Sequence, residues 1–253
     1  MTRFSAIFAV NQSHDKTDAY RTFCGALLQN MTKLLLVFLI VLPVAAQTSV
    51  QRDSRYPARW WTPVSEEGKP SWEILPQEAG PGEVILSKRN ELGLLSNFAA
   101  TPFTYHGKRY ASVEGFWQMM LYPEGPKDPR AKFKGIEWKY TRVQVAQMTA
   151  FEAKSAGTLA EENMKRMNID WVTFEGKRFK YRSSQAGRHY RLIKEAMWAK
   201  LRQNDEVKRV LLLTGDLILK PDHHGETNAP PEWRYYELWM EIRKRLSNTT
   251  GKS

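Results

Sequence analysis

The sequence predicts a helix-dominated α+β fold, a single domain that carries a small antiparallel hairpin. Three observations carry this. A short alternating run of β-branched residues, "EVILSK", opens the ordered part of the chain. Two aromatic-rich triplets flank a His-Gly pair in "PFTYHGKRYA". From Ser112 onward, apolar residues recur at intervals of three and four.

In order, Glu83 to Lys88 reads as a strand, and Phe103 to Tyr105 with Lys108 to Tyr110 as a hairpin turning at His106-Gly107. Ser112 is placed to cap a helix whose Phe116, Met119 and Met120 form a buried stripe. "YTRVQVAQMTAFEAKSAG" predicts two amphipathic pieces that divide near Thr149 and stop at Gly157. A further helix begins at "SSQAG", capped by Ser183 or Ser184, and turns Leu192, Ala196, Met197 and Leu201 inward. Asn204 or Asp205 caps "EVKRVLLLTG", which ends at Gly215. The last helix runs from Pro231 through Trp233, Tyr236 and Met240 to Leu246.

Upstream of this domain, assigned to residues 83–248 with a tail at 249–253, the chain changes character. "MTKLLLVFLIVLPVAA" (residues 31–46) has the lysine, apolar run and small residues of a secretory signal peptide cut after Ala46. Its apolar run is shorter than the roughly 20 residues that span a bilayer, so no stable membrane span is expected. Residues 1–30 contain Asp15, Lys16, Asp18 and Arg21, foreign to such a peptide, and the expectation is that translation starts at Met31. Export to a secreted or periplasmic location follows if the signal is used, and a cytoplasmic one if it is not. Residues 47–82, rich in Pro, Gly and charge, read as an irregular linker or wrap pinned by Trp60, Trp61 and Trp72.

With 42% hydrophobic and 12% aromatic residues, the 253-residue chain can bury a core and a concave site. A formal charge of +11 favours a negative partner, whether a nucleotide, nucleic acid or an anionic surface, although a basic domain without such a partner would carry the same charge. Cys24 is the single cysteine, which excludes an intramolecular disulfide and the Cys/His spacings of structural zinc. No P-loop, GxGxxG, HExxH or GxSxG is present, so no metal site and no cofactor is expected.

Chemistry concentrates in "LLSNFAATPFTYHGKRYASVEGFWQMM". It places a polar Ser96-Asn97 pair, a hairpin and a helix N-terminus in one stretch, which would let a loop and a helix face one pocket. Glu114 and Gln118 lie four apart and share a helix face, with Phe116 and Met120 on another. By itself, a first-turn glutamate such as Glu114 needs no function beyond stabilising the helix dipole. Trp117 and Trp171 are equally readable as core.

This stretch resembles the signature of the NADAR (YbiA-like) family: a Ser-Asn-Phe turn, a hairpin, then Ser/Thr-x-Glu-x-aromatic-aromatic-Gln. "AKSAG", "NIDW", "AMWAKLRQNDEVKRVLLLTGD" and "YYELWMEIRKRL" follow in the family's order, so the resemblance spans roughly Glu83 to Leu246. It implies a compact α+β N-glycosidase acting at a ribose C1′, on phosphoribosylamino intermediates of riboflavin synthesis or on ADP-ribosylated guanine. Glu114 falls on the family's glutamate, and Ser96, Asn97, Phe98, Trp117, Gln118 and Trp171 on neighbouring pocket positions. The chain departs from the family in "LKPDHHGETNAPPEWRYYELWMEIR", where a Gly-rich Asn-x-Leu-Gly segment is usual. Asp222, His223, His224 and Asn228 either replace that contact loop or form a surface loop.

A carboxylate suits the chemistry, because loss of a nitrogen leaving group makes C1′ oxocarbenium-like. Asp170, Asp222 and His224 are all conceivable acids for the leaving group. The alternatives to an enzyme are a noncatalytic module for ADP-ribose or nucleic acid, and an exported basic protein that binds polyanions in a salt-dependent way.

Overall fold

The computed structural model describes residues 53–225 and 228–250. The extension 1–30 with Cys24, the signal segment 31–46 and residues 251–253 lie outside the described residues. The architecture is mixed α+β, with three two-stranded sheets laid around packed helices. β1 (Glu83–Ile85) pairs in parallel with β6 (Ile218–Lys220), Val84 opposite Leu219. The hairpin of β2 (Phe103–Tyr105) and β3 (Lys108–Tyr110) stands where the sequence predicts it. His106 and Gly107 have φ of 49° and 71°, the positive pair that a two-residue hairpin turn requires.

A second hairpin replaces what the sequence left as a path between helices. β4 (Trp171–Phe174) and β5 (Lys177–Lys180) pair antiparallel around Glu175 and Gly176, whose φ values of 51° and 71° repeat the first turn. The alternating "WVTF" and the Glu-Gly turn carry this signal, hidden by the charged β5. β6 went unread because three residues between a helix and a loop show no period.

α1 (Val113–Met119) is the central element, and every one of its residues is buried. Ser112 caps it as expected: its Oγ accepts from Gly115 N at 2.9 Å and donates to Met148 O at 2.9 Å. At the other end, the buried Arg130 guanidinium donates to the carbonyls of Met120, Leu121 and Tyr122, closing acceptors that the helix leaves open. Asp128 pairs with Arg130 at 2.8 Å. Burial alone would raise the Asp128 pKa, but Arg130 and the Glu124 N–H outweigh it and hold it at about 2.

α2 (Arg142–Ala146) and α3 (Ala150–Arg166) divide at Thr149 as predicted, but α3 runs on through Gly157. Gly157 is a contact glycine, since a Cβ there would sit 1.8 Å from Gln118 Oε1. α4 (Arg188–Gln203) begins after Gly187, later than the Ser183 or Ser184 cap expected. α5 (Asp205–Leu213) follows Asn204, whose side chain donates to Pro102 O and Lys200 O. α6 (Tyr235–Thr250) starts at Tyr235, because Pro231–Trp233 forms a separate 3₁₀ turn.

Residues 53–82 are joined to this body. Trp60 and Trp61 are buried, and Trp61 Nε1 donates to Glu83 O at 2.8 Å. Trp72 differs from the expectation, remaining 39% exposed. Among the described residues, no helix is long and apolar enough to cross a membrane, and no cluster of three His, Cys, Asp or Glu side chains is placed to hold a metal.

Candidate functional site

Residues that are remote in sequence meet around a cavity of about 740 Å³. Its floor is the Ser96-Asn97-Phe98 turn together with α1. Three successive carbonyls pin that turn. Ser96 O accepts from Lys200 Nζ at 2.8 Å, Asn97 O from Glu114 N at 2.9 Å, and Phe98 O from Ala150 N at 3.1 Å. Lys200 is fully buried, and burial pushes its pKa down to about 7.

Glu114 and Gln118 line this floor, 6% and 3% exposed. Gln118 Nε2 donates to Glu114 Oε1 at 2.7 Å, the hydrogen bond that the carboxylate makes among the described residues. Burial raises the Glu114 pKa, while the Gln118 hydrogen bond and the charges of Lys154, Lys88 and His223 oppose the rise. Asn97 Oδ1 and Gln118 Oε1 are buried without a hydrogen-bond partner among the described residues. The floor therefore presents acceptors that call for donors on a ligand.

Trp117 forms part of the wall, its Nε1 donating to Tyr181 OH at 3.0 Å, and that hydroxyl donates in turn to Glu161 Oε1 at 3.1 Å. Burial drives the Tyr181 pKa well above its ordinary value, so the phenol stays protonated and the chain keeps its direction. Behind Trp117 lies a buried pair, His189 Nδ1 and Glu232 Oε1, 3.0 Å apart.

The mouth is aromatic and cationic. Phe98 meets Phe151 edge-on at 5.1 Å between centroids, Trp72 lies 6.1 Å from Phe151, and the Lys88 ammonium stands over Phe98 at 5.2 Å. Lys88, Lys154 and Arg234 line the cavity against the carboxylates of Glu114 and Glu237. A cavity of this size, apolar with a few convergent polar groups and with three cations in its lining, suits a small molecule that carries anionic groups.

Of the residues singled out from the sequence, Ser96, Asn97, Phe98, Glu114, Trp117, Gln118, His223 and His224 line the cavity. Asp222 is buried just behind the lining, paired with the Lys88 ammonium and with His223. Burial would raise its pKa, but His223 and Lys88 outweigh this and hold the carboxyl below its ordinary value. Trp171 does not belong to the cavity. The guanidinium groups of Arg178 and Arg130 lie 3.8 Å and 5.0 Å from its ring centroid, which ties the second hairpin to the buried Arg130. Asp170 is exposed beside a separate small cavity and pairs with Lys180 at 3.7 Å.

Lys88, Phe151, Lys154, Tyr181, Trp233, Arg234 and Tyr235 were missed by sequence reasoning. No local pattern marks Lys88 or Lys154. Tyr181 directly follows β5, so reading the second hairpin would have drawn attention to it.

No family model matches the chain, and no curated protein matches it. Among solved structures, the chain is similar to the NMR structure of the E. coli protein YbiA, at 19% identity over 67% of this chain and 88% of that one, with a TM-score of 0.42.

Proposed function

We propose that the protein hydrolyses an N-glycosidic bond at the ribose C1′ of a nucleotide-like or ADP-ribosylated substrate, with Glu114 as the reacting carboxylate. The observation that carries this reading is a buried carboxylate at the floor of a cavity large enough for a nucleotide, tied at one oxygen to Gln118 and without a hydrogen-bond partner among the described residues at the other. A first-turn glutamate that served only the helix dipole would gain nothing from burial, which costs it solvation.

As the nitrogen departs, C1′ takes on positive charge, and an anion fixed beside it stabilises that charge more than it stabilises the ground state. The same carboxylate accepts a proton from the attacking water. Gln118 orients it, and its hydrogen bond favours the ionised form. Asn97 Oδ1 and Gln118 Oε1 are acceptors suited to sugar hydroxyls, Lys88, Lys154 and Arg234 to phosphate, and Phe98, Phe151 and Trp72 to a stacked ring. The sequence resemblance to the NADAR family supports the same reaction.

Glu114→Gln keeps the shape and removes the charge. It is expected to stay folded and to lose hydrolysis by about 10²–10³-fold on NAD, ADP-ribosylated guanosine or a phosphoribosylaminopyrimidine, whichever the wild type cleaves. A variant with wild-type turnover on each cleaved substrate would refute the role of Glu114. Calorimetry with ADP-ribose, run beside the product assay, addresses the alternative: stable binding with no release of base identifies a noncatalytic module.

A further inference from the structure

The loop where the chain departs from the family pattern lines the cavity through His223 and His224. Its backbone is fixed from the outside: Ile74 N donates to Asp222 O at 2.9 Å, His224 N donates to Trp72 O at 3.2 Å, and Glu73 bridges to His223. The His223 side chain is fixed as well. Its ring stacks on Tyr235 at 6.2 Å between centroids with 8° between the planes. Its Nδ1 lies 3.2 Å from Asp222 Oδ1. A carboxylate oxygen can only accept, so Nδ1 carries the hydrogen of this bond.

The other ring nitrogen, Nε2, has no hydrogen-bond partner among the described residues, and His223 lines the same cavity as Glu114. A histidine held through Nδ1 by a buried carboxylate, with Nε2 free at a cavity, is the arrangement that gives an imidazole a defined direction for proton transfer. The Lys88 ammonium pairs with the other Asp222 oxygen, Oδ2, and Glu73 is neutralised by Arg89 at 2.6 Å.

We propose that His223 is the catalytic acid that protonates the departing nitrogen, with Asp222 and Tyr235 as its positioning residues. The inference rests on the glycosidase reading and adds the acid that the reading needs. In the step, the C1′–N bond breaks and its electron pair stays on nitrogen, which takes the proton from His223 Nε2. Water forms the new C1′–O bond and gives its proton to Glu114. Glu114 then holds one proton more and His223 one fewer, and exchange with solvent resets both.

The competing acids are placed less well. Asp170 is outside this cavity, and Asp222 is ion-paired and already engaged at both oxygens. His224 lines the cavity as well, but it is exposed and no side-chain hydrogen bond among the described residues orients its ring.

Two probes share the ADP-ribosyl group and differ in what leaves. Nicotinamide departs from NAD as a neutral base with no proton added, whereas guanosine departing through an amine must be protonated. His223→Gln is expected to lower kcat on ADP-ribosylated guanosine by about 10²–10⁴-fold with little change in KM, and to lower NAD cleavage far less. Glu114→Gln should lower both. Equal losses of His223→Gln on the two probes, or an unchanged kcat on the guanosine adduct, overturn the role of His223 alone. Wild-type protein that releases nicotinamide, guanosine or, from a phosphoribosylaminopyrimidine, the free pyrimidine from none of the three substrates overturns the glycosidase reading, and the proton role with it. A melting temperature within a degree or two of wild type shows that the variant is folded.

Discussion

Glu114 is at once a first-turn charge of α1 and a buried carboxylate, and the two settings act on it in opposite directions. The positive end of α1 welcomes its charge, while burial opposes it and raises its pKa above the ordinary glutamate value of 4.5. Activity that needs the ionised carboxylate is therefore low in acid and grows as pH climbs through the raised pKa. Gln118 pulls that pKa back down by donating to Oε1. Gln118→Leu removes the donor, so the acidic limb of the pH–kcat profile is expected to move to higher pH, and a limb that stays in place would show that Gln118 does not set the charge state of Glu114. At this scale the sequence was informative about residue types: Glu114, Gln118, Asn97 and Ser96 could be named because they crowd one stretch. Trp171 could not be sorted, since an aromatic in a short block carries no sign of which way it faces. The two guanidinium groups near its ring come from β5 and from the Asp128–Arg130 turn.

Among the elements, α1 depends on two glycines for its position. A Cβ on Gly115 would come within 2.5 Å of Met148 O, so the close approach of α1 to the turn after α2 requires that residue. Gly157 on α3 leaves the space that the Gln118 side chain fills. Gly157→Ala gains helix propensity yet drives a methyl group into Gln118. The expected result is a fold destabilised by about 1–3 kcal/mol and hydrolysis reduced by about 10²-fold as Gln118 and Glu114 lose their alignment. Denaturant titration and turnover, measured on the same preparation, check the two parts. The sequence assigned Gly157 to a helix stop because glycine commonly ends helices. Only the packing of α3 on α1 shows why glycine is needed within it.

Across the molecule, residues 53–82 are part of the cavity's support. They bury Trp60 and Trp61 against the body, bring Trp72 to the mouth, and pair Trp72 to Ile74 with the His223 loop. Trp60→Ala, which empties a fully buried site, is expected to cost about 3–5 kcal/mol in chemical denaturation. A loss below 1 kcal/mol would show that this segment is dispensable to the fold. Positive charge also acts at this scale. With a formal charge of +11, the chain attracts anions generally, and Lys88, Lys154 and Arg234 turn that attraction toward one cavity.

From the sequence by itself came the α+β class, the first hairpin, the cap of α1, the division at Thr149 and most of the cavity floor. Each of these rests on local causes: an alternating pattern, a turn pair, a side chain that reaches its own backbone. The tertiary structure decided the rest. It joined β1 to β6 across more than a hundred residues and set Lys88 beside Asp222. It also placed Trp171 away from the cavity and His223 on its lining. Burial, ion pairing and the direction of a ring belong to pairs of residues distant in the chain, and no local pattern encodes them.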